Sequence, residues 1–173
     1  MKVFLVITIM IQIYKVDSYS ISEIQSLAIQ IWPVVYKTIL ENHQMEYMLQ
    51  LIYSEEALKK QMLNNQDFYL IKYRNTSIGF MSLEHNYNKE ATTKLHKLYL
   101  LPELQKKGFG RFLIEKAKEL TLDNNNNTIL LNVNRFNNAK YFYEKLGFIV
   151  VLEEKIEIGN GYIMDDFQMK LYI

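Results

Sequence analysis

Residues Leu95–Leu120, LHKLYLLPELQKKGFGRFLIEKAKEL, decide the fold of this chain. The first part is rich in residues that favour strands, and Pro102 cannot donate to a sheet ladder, so a strand is predicted to end there. From Phe109 onwards apolar residues recur every three or four positions, which indicates an amphipathic helix. Gly108 and Gly110 lie where that helix begins. The stretch therefore predicts a strand, a short loop and a helix.

The loop between this strand and helix has the properties of an anion site. Glycine lets a ligand approach the backbone closely, and the first amide groups of a helix have no partner inside it. These amides, the positive end of the helix dipole and the charges of Lys106, Lys107 and Arg111 together suit a diphosphate. An ordinary tight turn explains the same residues equally well. A dinucleotide fingerprint fits poorly because Leu113 replaces its third glycine, and the Gly-Lys-Ser/Thr of a P-loop is absent.

Length and composition predict a single domain over residues 1–173, since this length suits one hydrophobic core and is short for two. Hydrophobic residues make up 49% and charged residues 23%, which is typical of a globular protein. A net charge of +1 and the lack of a basic, aromatic-interleaved stripe argue against a nucleic-acid partner. The chain has no cysteine and its three histidines are scattered, so we expect no metal site.

The first residues allow two interpretations. Lys2 precedes an apolar run, as in a secretory signal, but no small-residue cleavage site follows and the run is too short to cross a bilayer. It is either an edge strand from about Val3 to Val16 or an extension, residues 1–9, ahead of a domain that starts near Met10. We expect a cytoplasmic protein that does not bind membranes.

The first half of the chain predicts one strand followed by short helices. Ser20 or Ser22 can cap the first helix, and Pro33 is expected to end it because the residue before a proline avoids the helical region. In chain order, the predicted elements are a strand at Met10–Lys15, this first helix, and helices at Val34–Glu41, Gln44–Tyr53 and Ser54–Asn64.

The second half predicts a sheet. A hairpin begins at Asp67, and Thr128–Asn134 is a strand parallel to the one that contains Leu95, because a helix crosses over between them. The last two strands, Phe148–Ile158 and Tyr162–Ile173, are joined through an Asn-Gly pair, which is a strong hairpin signal.

Two motifs resemble those of the GNAT superfamily of N-acetyltransferases. Gln105-x-x-Gly108-x-Gly110, placed after a strand ending in LYLLPE, resembles the acetyl-CoA signature of that family. Residues Asn134–Phe148, NRFNNAKYFYEKLGF, resemble its second motif, whose helix ends in Tyr-x-x-x-Gly-Phe. The ending Gly161–Phe167, GYIMDDF, is similar to the branch that includes bacterial polyamine acetyltransferases of the PaiA type.

The resemblance implies the fold and the reaction. The expected fold is α/β (α+β), a mixed, mostly antiparallel sheet of about six or seven strands with a splayed parallel pair, flanked by about four or five helices. The implied enzyme uses acetyl-CoA and no metal, and moves an acetyl group to a small-molecule or peptide amine, for example a polyamine, by direct attack. It also implies a homodimer as one possible assembly. The alternative is a non-catalytic CoA-binding sensor or regulatory module.

The resemblance also assigns the CoA contacts. Leu98, Tyr99 and Leu100 would bind the pantetheine arm and the acetyl group, with a backbone N–H near Leu98 stabilising the oxyanion. The diphosphate would bind at the helix start, and the second motif adds two asparagines. This second set of cofactor residues comprises Gln105, Lys106, Lys107, Gly108, Phe109, Gly110, Arg111, Asn137 and Asn138.

Further residues are candidates for catalysis and acceptor binding. Tyr143 matches the general acid of the family, although a tyrosine on a buried helix face is more often part of the core. His96 lies where some members carry a base, although a packed or solvated strand histidine is an equal explanation. The other candidates for the base are Glu84, Asp165 and Asp166, which a solvated surface or acceptor binding explains as well. Trp32 and Tyr36 are expected to line the acceptor pocket, which the early helices and the last hairpin build.

Overall fold

The computed structural model describes residues 11–173 of the chain. One strand is followed by three helices, and the rest of the chain consists of six strands and two helices, with three short 3-10 turns among these described elements. The strands are β1 (Ile11–Val16), β2 (Asp67–Tyr73), β3 (Thr76–Glu84), β4 (Thr92–Leu100), β5 (Thr128–Asn134), β6 (Ile149–Gly159) and β7 (Tyr162–Tyr172). The helices are α1 (Ile21–Val35), α2 (Asn42–Tyr53), α3 (Glu55–Leu63), α4 (Phe109–Asp123) and α5 (Ala139–Glu144).

Seven described strands form one mixed sheet in the order β1-β2-β3-β4-β5-β7-β6. β4 and β5 are parallel, as the intervening helix α4 requires, and their register runs from Thr92 opposite Thr128 to Leu95 opposite Leu131. β1–β2, β2–β3, β5–β7 and β6–β7 pair antiparallel. The expected α/β fold with one parallel pair is confirmed.

The chain divides into two compact units. The first consists of the described residues up to 83 together with residues 97–116, and the second of residues 84–96 and 117–173. The first unit buries apolar side chains of α1 and α3 and of β2 and β3, including Ile24, Leu58, Phe68 and Phe80. The second buries Ile129, Leu131, Phe148 and Met169. The expectation of a single domain over the whole chain stays a prediction.

Two helix predictions are wrong. α1 continues through Pro33 to Val35, and the N–H of Tyr36 still donates to the carbonyl of Trp32 at 2.9 Å. Pro33 lies near the C-terminus, where it removes one helical hydrogen bond, and the buried Trp32 beside it fixes the last turn. No separate helix forms at Val34–Glu41: its first two residues end α1, and the chain then turns, with the N–H groups of Ile39 and Leu40 both donating to the carbonyl of Tyr36.

The two predicted serine caps differ in outcome. Ser20 precedes α1 but its side chain makes no capping hydrogen bond, and Ser22 lies inside the helix. Ser54 caps α3 by accepting a hydrogen bond from the N–H of Ala57 at 3.3 Å. β1 confirms the described part of the first predicted strand, whereas the interpretations of residues 1–9 lie outside the described residues. Within residues 11–173, no helix combines the length and the apolar character needed to span a membrane.

Lys97 on β4 is a buried lysine whose polar contacts are to neutral amides. Its side chain is 7% exposed, lies 5.1 Å from the centre of the Phe68 ring, and donates to Gln61 and, at 3.3 Å, to Gln66. Burial lowers the pKa of Lys97 to about 7, because a low-dielectric environment disfavours the charged form. The unfolded chain therefore binds a proton between about pH 7 and 10 that the folded chain has lost, so the stability that depends on Lys97 rises with pH in that window.

We predict that Lys97→Met raises the free energy of unfolding by about 1–3 kcal/mol at pH 7, because a buried charge is replaced by an apolar chain. The loss of the donor to Gln61 opposes this gain. The advantage should shrink towards pH 10, where the wild-type amine is neutral in the folded state. Urea unfolding at pH 7 and at pH 10 measures the difference in the free energy of unfolding between variant and wild type, and Lys60→Met, at an exposed lysine, is the control. An advantage that is equal at the two pH values would contradict the argument.

Candidate active site

The loop before α4 has the geometry of a helix-start anion site. Lys106 and Gly108 have positive φ angles of 61° and 91°, and the side chains of Lys106, Lys107 and Arg111 are exposed. The N–H of Phe112 donates to the carbonyl of Gly108 at 3.2 Å, so the N–H groups of residues 109–111 precede the helical ladder. Three cations and three helix-start amides therefore lie in one short segment of the first unit.

The end of β4 is fixed by a close approach to β3. A Cβ at Gly79 would lie 2.1 Å from the carbonyl oxygen of Tyr99 and 3.0 Å from a methyl carbon of Leu100, so only glycine fits there. The N–H of Leu101 donates to the carbonyl of Ile78 at 2.8 Å. This contact sets the backbone position of Leu98–Leu100, the predicted pantetheine contacts.

Trp32 and Tyr36, the predicted acceptor residues, lie in an aromatic cluster with Tyr99. The hydroxyl groups of Tyr36 and Tyr99 are 3.0 Å apart, and the Trp32 ring lies 4.6 Å from the Tyr36 ring and 6.0 Å from the Tyr99 ring. Trp32 is 2% exposed. The buried Tyr53 joins the cluster at 5.4 Å from Trp32, and burial raises its pKa, so its hydroxyl stays protonated.

Tyr143 lies on the short helix α5 in the second unit. Its side chain is 9% exposed, and its ring lies 5.2 Å from that of Phe142 and 5.4 Å from that of Phe148. At the start of this helix the side chain of Asn137 accepts a hydrogen bond from the N–H of Ala139 at 2.9 Å. Tyr143 is thus held by ring packing on this short helix.

His96 is paired with a carboxylate. Its Nε2 lies 2.8 Å from an oxygen of Glu84, and the ring of Tyr87 meets the histidine ring edge-on at 6.1 Å. Burial raises the pKa of Glu84, and the nearby charge of Lys94 opposes the rise. A histidine oriented by a carboxylate is a suitable proton acceptor.

His96 also faces a cavity of about 340 Å³ in the second unit. This volume lies at the lower end of the range of small-molecule sites, about 300–1,000 Å³. Its polar lining includes residues from four strands that are far apart in the sequence. The lining residues are Tyr87, Lys94, Leu95, His96, Asn132, Glu154, Ile156, Met164, Asp166 and Gln168.

The charged groups of this cavity shift one another's pKa values. Burial raises the pKa of Asp166 to about 6, and the neighbouring carboxylate of Glu154 adds to the rise. Burial lowers the pKa of Lys94, while Glu154, Asp166 and Glu84 oppose that shift. Lys94 donates to the side-chain oxygen of Asn132, whose amide in turn donates to Glu154. Perturbed groups in a cleft are typical of functional sites.

Residues 37–171 match the family described as acetyltransferase (GNAT) domain. The chain belongs to the GNAT acetyltransferase family. This confirms the resemblance seen in the two motifs, and with the relatives described below it identifies the protein as an N-acetyltransferase.

Relatives of this GNAT protein include a spermidine N(1)-acetyltransferase from Thermoplasma acidophilum, 27% identical over 161 residues, which cover 90% of this chain and 96% of that protein. An uncharacterized N-acetyltransferase from Archaeoglobus fulgidus is 33% identical over 72 residues, which are 39% of this chain and about half, 49%, of that protein. The crystal structure of PaiA N-acetyltransferase from T. acidophilum in complex with coenzyme A superimposes with a TM-score of 0.77 at 26% identity. The superposition covers 94% of this chain and 99% of the PaiA chain.

The two units of the GNAT chain divide the predicted site residues between them. The first contains Trp32, Tyr36, Leu98–Leu100 and the loop Gln105–Arg111, and brings Trp32 and Tyr36 together with Tyr99. The second contains His96, Asn137, Asn138 and Tyr143, and places His96 on the cavity wall.

Sequence reasoning missed most of the cavity of this GNAT protein. The sequence indicates Asp166 only as an alternative base, and neither CoA motif contains Lys94, Asn132 or Glu154. Alternation along the strands was the available signal, since Lys94 and His96 share a face of β4, as do Met164, Asp166 and Gln168 on β7.

We predict that Gly79→Ala lowers the free energy of unfolding by about 3 kcal/mol, because the new methyl group would overlap the carbonyl of Tyr99 and force the two strands apart. Gly161→Ala is the control. Gly161 has a φ of +75° but nothing within 4 Å of the added carbon, so only the conformational cost of about 1–2 kcal/mol is expected. Thermal or urea unfolding compares the two, and a smaller loss at Gly79 than at Gly161 would contradict the steric argument.

Proposed function

We propose that the protein transfers the acetyl group of acetyl-CoA directly to a small primary amine, with polyamines as the first acceptors to test. The observation that carries the proposal is the GNAT family match over residues 37–171, which includes the cation-rich helix start before α4. The full-length similarity to a spermidine N(1)-acetyltransferase supports the choice of acceptor.

In this proposal the helix start binds the diphosphate of CoA. The N–H groups of residues 109–111 and the exposed charges of Lys106, Lys107 and Arg111 supply donors and positive charge to a dianionic ligand. The side chain of Gln105 donates to the carbonyl of Leu100 at 3.3 Å, which ties the loop to the end of β4.

The pantetheine arm would bind along the end of β4. The parallel register with β5 stops at Leu95, although β4 continues to Leu100. An extended ligand can hydrogen-bond to strand backbone as an added strand does, and a backbone N–H near Leu98 would stabilise the oxyanion formed when the amine attacks the thioester.

Proton transfer is assigned to two side chains. His96, paired with Glu84 at 2.8 Å, would take the proton that the ammonium group of the acceptor must lose before attack. Tyr143 would donate a proton to the departing CoA thiolate, since a phenol with a reference pKa near 10 is protonated at neutral pH. Ring packing against Phe142 and Phe148 restricts the position of the Tyr143 hydroxyl.

The overall reaction is tested by following free thiol while enzyme and acetyl-CoA are incubated with polyamines, amino acids, aminoglycosides and peptides. We expect thiol release with at least one small amine, and most strongly with a polyamine. If no amine of the panel gives thiol release but calorimetry shows that CoA binds, the result would instead support the non-catalytic sensor.

We predict that Tyr143→Phe lowers kcat by about a hundredfold or more, the usual contribution of general acid catalysis, and leaves the KM for acetyl-CoA within about twofold. Tyr141→Phe is a matched control, because Tyr141 lies on the same helix but is 60% exposed. Steady-state kinetics with the best amine compares both variants with the wild type. An unchanged kcat in Tyr143→Phe would remove Tyr143 from the mechanism.

A further inference from the structure

The cavity of the second unit is lined by two carboxylates, Glu154 and Asp166, and among its described lining residues by one lysine, Lys94. Glu84, Glu154 and Asp166 all interact electrostatically with Lys94. Glu84 is already paired with His96. The charges of Glu154 and Asp166 therefore share a single lysine, and the cavity retains an excess of negative charge that favours a cationic ligand.

Asp166 has an unused acceptor. Its side chain is 2% exposed, and its Oδ1 is buried without a hydrogen-bond partner among the described residues. A buried carboxylate oxygen without a donor is costly, so a donor supplied by a ligand would be bound favourably. Asp166 lines the same cavity as His96, the proposed proton acceptor.

The walls beside these charges suit a hydrocarbon chain that carries ammonium groups. Ile156, Met164 and the ring of Tyr87 line the cavity and offer apolar surface to methylene groups. Within residues 11–173, no three acidic or histidine side chains converge as metal ligands. An ammonium group, in contrast, needs only one or two carboxylates as acceptors.

We propose that Asp166, assisted by Glu154, binds a second ammonium group of the acceptor, and so selects diamines and polyamines over monoamines. This inference rests on the proposed function and names the residues that determine its specificity. One amine of the acceptor must be neutral to attack, whereas the distant amine stays protonated and needs a counter-charge. Lys94 competes as an internal cation for the same carboxylates, and thereby limits affinity.

The test compares 1,4-diaminobutane and spermidine with butylamine, which matches the diamine except for the second ammonium group. In Asp166→Asn we expect the KM for both polycations to rise about tenfold or more, with the KM for butylamine and for acetyl-CoA within about twofold. Glu154→Gln should shift the same constants in the same direction, and it carries the test if Asp166→Asn does not fold. Glu157→Gln, an exposed carboxylate of the same strand as Glu154, is the control and should change nothing.

Removal of the positive charge of Lys94 should lower the KM for polycations, whereas removal of a carboxylate should raise it. In Lys94→Met we expect the KM for 1,4-diaminobutane to fall about threefold or more, because Asp166 and Glu154 no longer share their charge with Lys94. A purely structural role of this cluster would instead make every variant worse with every acceptor. Equal losses for butylamine and the diamine, or unchanged constants in Asp166→Asn, would overturn the subsite.

Direct binding separates this proposal from the proposed function. Calorimetry of the full chain with spermidine should show binding that Asp166→Asn weakens about tenfold and Glu157→Gln leaves unchanged. If spermidine binds in this way but no thiol is released with any amine, the transferase proposal fails and the cation subsite stands. If amines are acetylated but Asp166→Asn binds spermidine as the wild type does, the subsite fails and the transferase proposal stands.

Discussion

The parallel pairing of β4 with β5 is the constraint on which the other features depend. Parallel neighbours need a crossover, and here the chain leaves β4 at Pro102, turns through the glycine loop and returns along α4. The loop must therefore sit at the carboxyl end of β4, where α/β proteins commonly bind ligands. The register covers four residue pairs, from Thr92 to Leu95 on β4. The backbone groups of residues 96–100 of this strand therefore take no part in that register.

Two lysines on β4 show how the neighbouring groups change the effect of burial on a lysine pKa. Lys94 and Lys97 are three residues apart, so their side chains lie on opposite faces of the strand. Both are 7% exposed. The carboxylates around Lys94 oppose the lowering of its pKa, whereas the partners of Lys97 are neutral amides and its pKa falls to about 7. The same residue type therefore serves as a charge in the cavity on one face and as a polar part of the core on the other.

Local signals in the sequence were sufficient for most of the fold. The proline and glycines after β4, the helix crossover and the Asn-Gly pair before β7 each impose a specific backbone conformation, and these elements were predicted correctly. The prediction that the first helix ends before Pro33 is wrong because the packing of the buried Trp32 outweighs the tendency of a residue before proline to avoid the helical region. The prediction of a separate helix at Val34–Glu41 is wrong because Val34 and Val35 belong to α1 and the chain then turns, with the N–H groups of Ile39 and Leu40 both donating to the carbonyl of Tyr36.

The cavity was less predictable because its members come from four strands, and only strand register determines which side chains meet. Motifs can identify a single segment whose own backbone suits a ligand, such as the loop before α4 with its helix-start amides. They do not identify a pocket in which Asn132 of β5, Glu154 of β6 and Asp166 of β7 face one another. The proposed roles of His96 and Tyr143 follow from the resemblance to the family, whereas the charge balance around Lys94 depends on which strands are neighbours in the sheet.

Asp165 and Asp166 show how much depends on that register. They are adjacent on β7, so their side chains point to opposite faces. Asp165 lies 2.8 Å from Arg135 and 3.8 Å from Lys155, and its charge is neutralised within the protein. Asp166 lies opposite Glu154 on β6, and its Oδ1 has no hydrogen-bond partner within residues 11–173. A shift of one residue would exchange the two carboxylates and place the neutralised one in the cavity. The pairing of β7 with β5 and β6 therefore decides which of the two carboxylates faces the cavity, and a fold of this kind can change the lining of such a cavity through the register of a single strand.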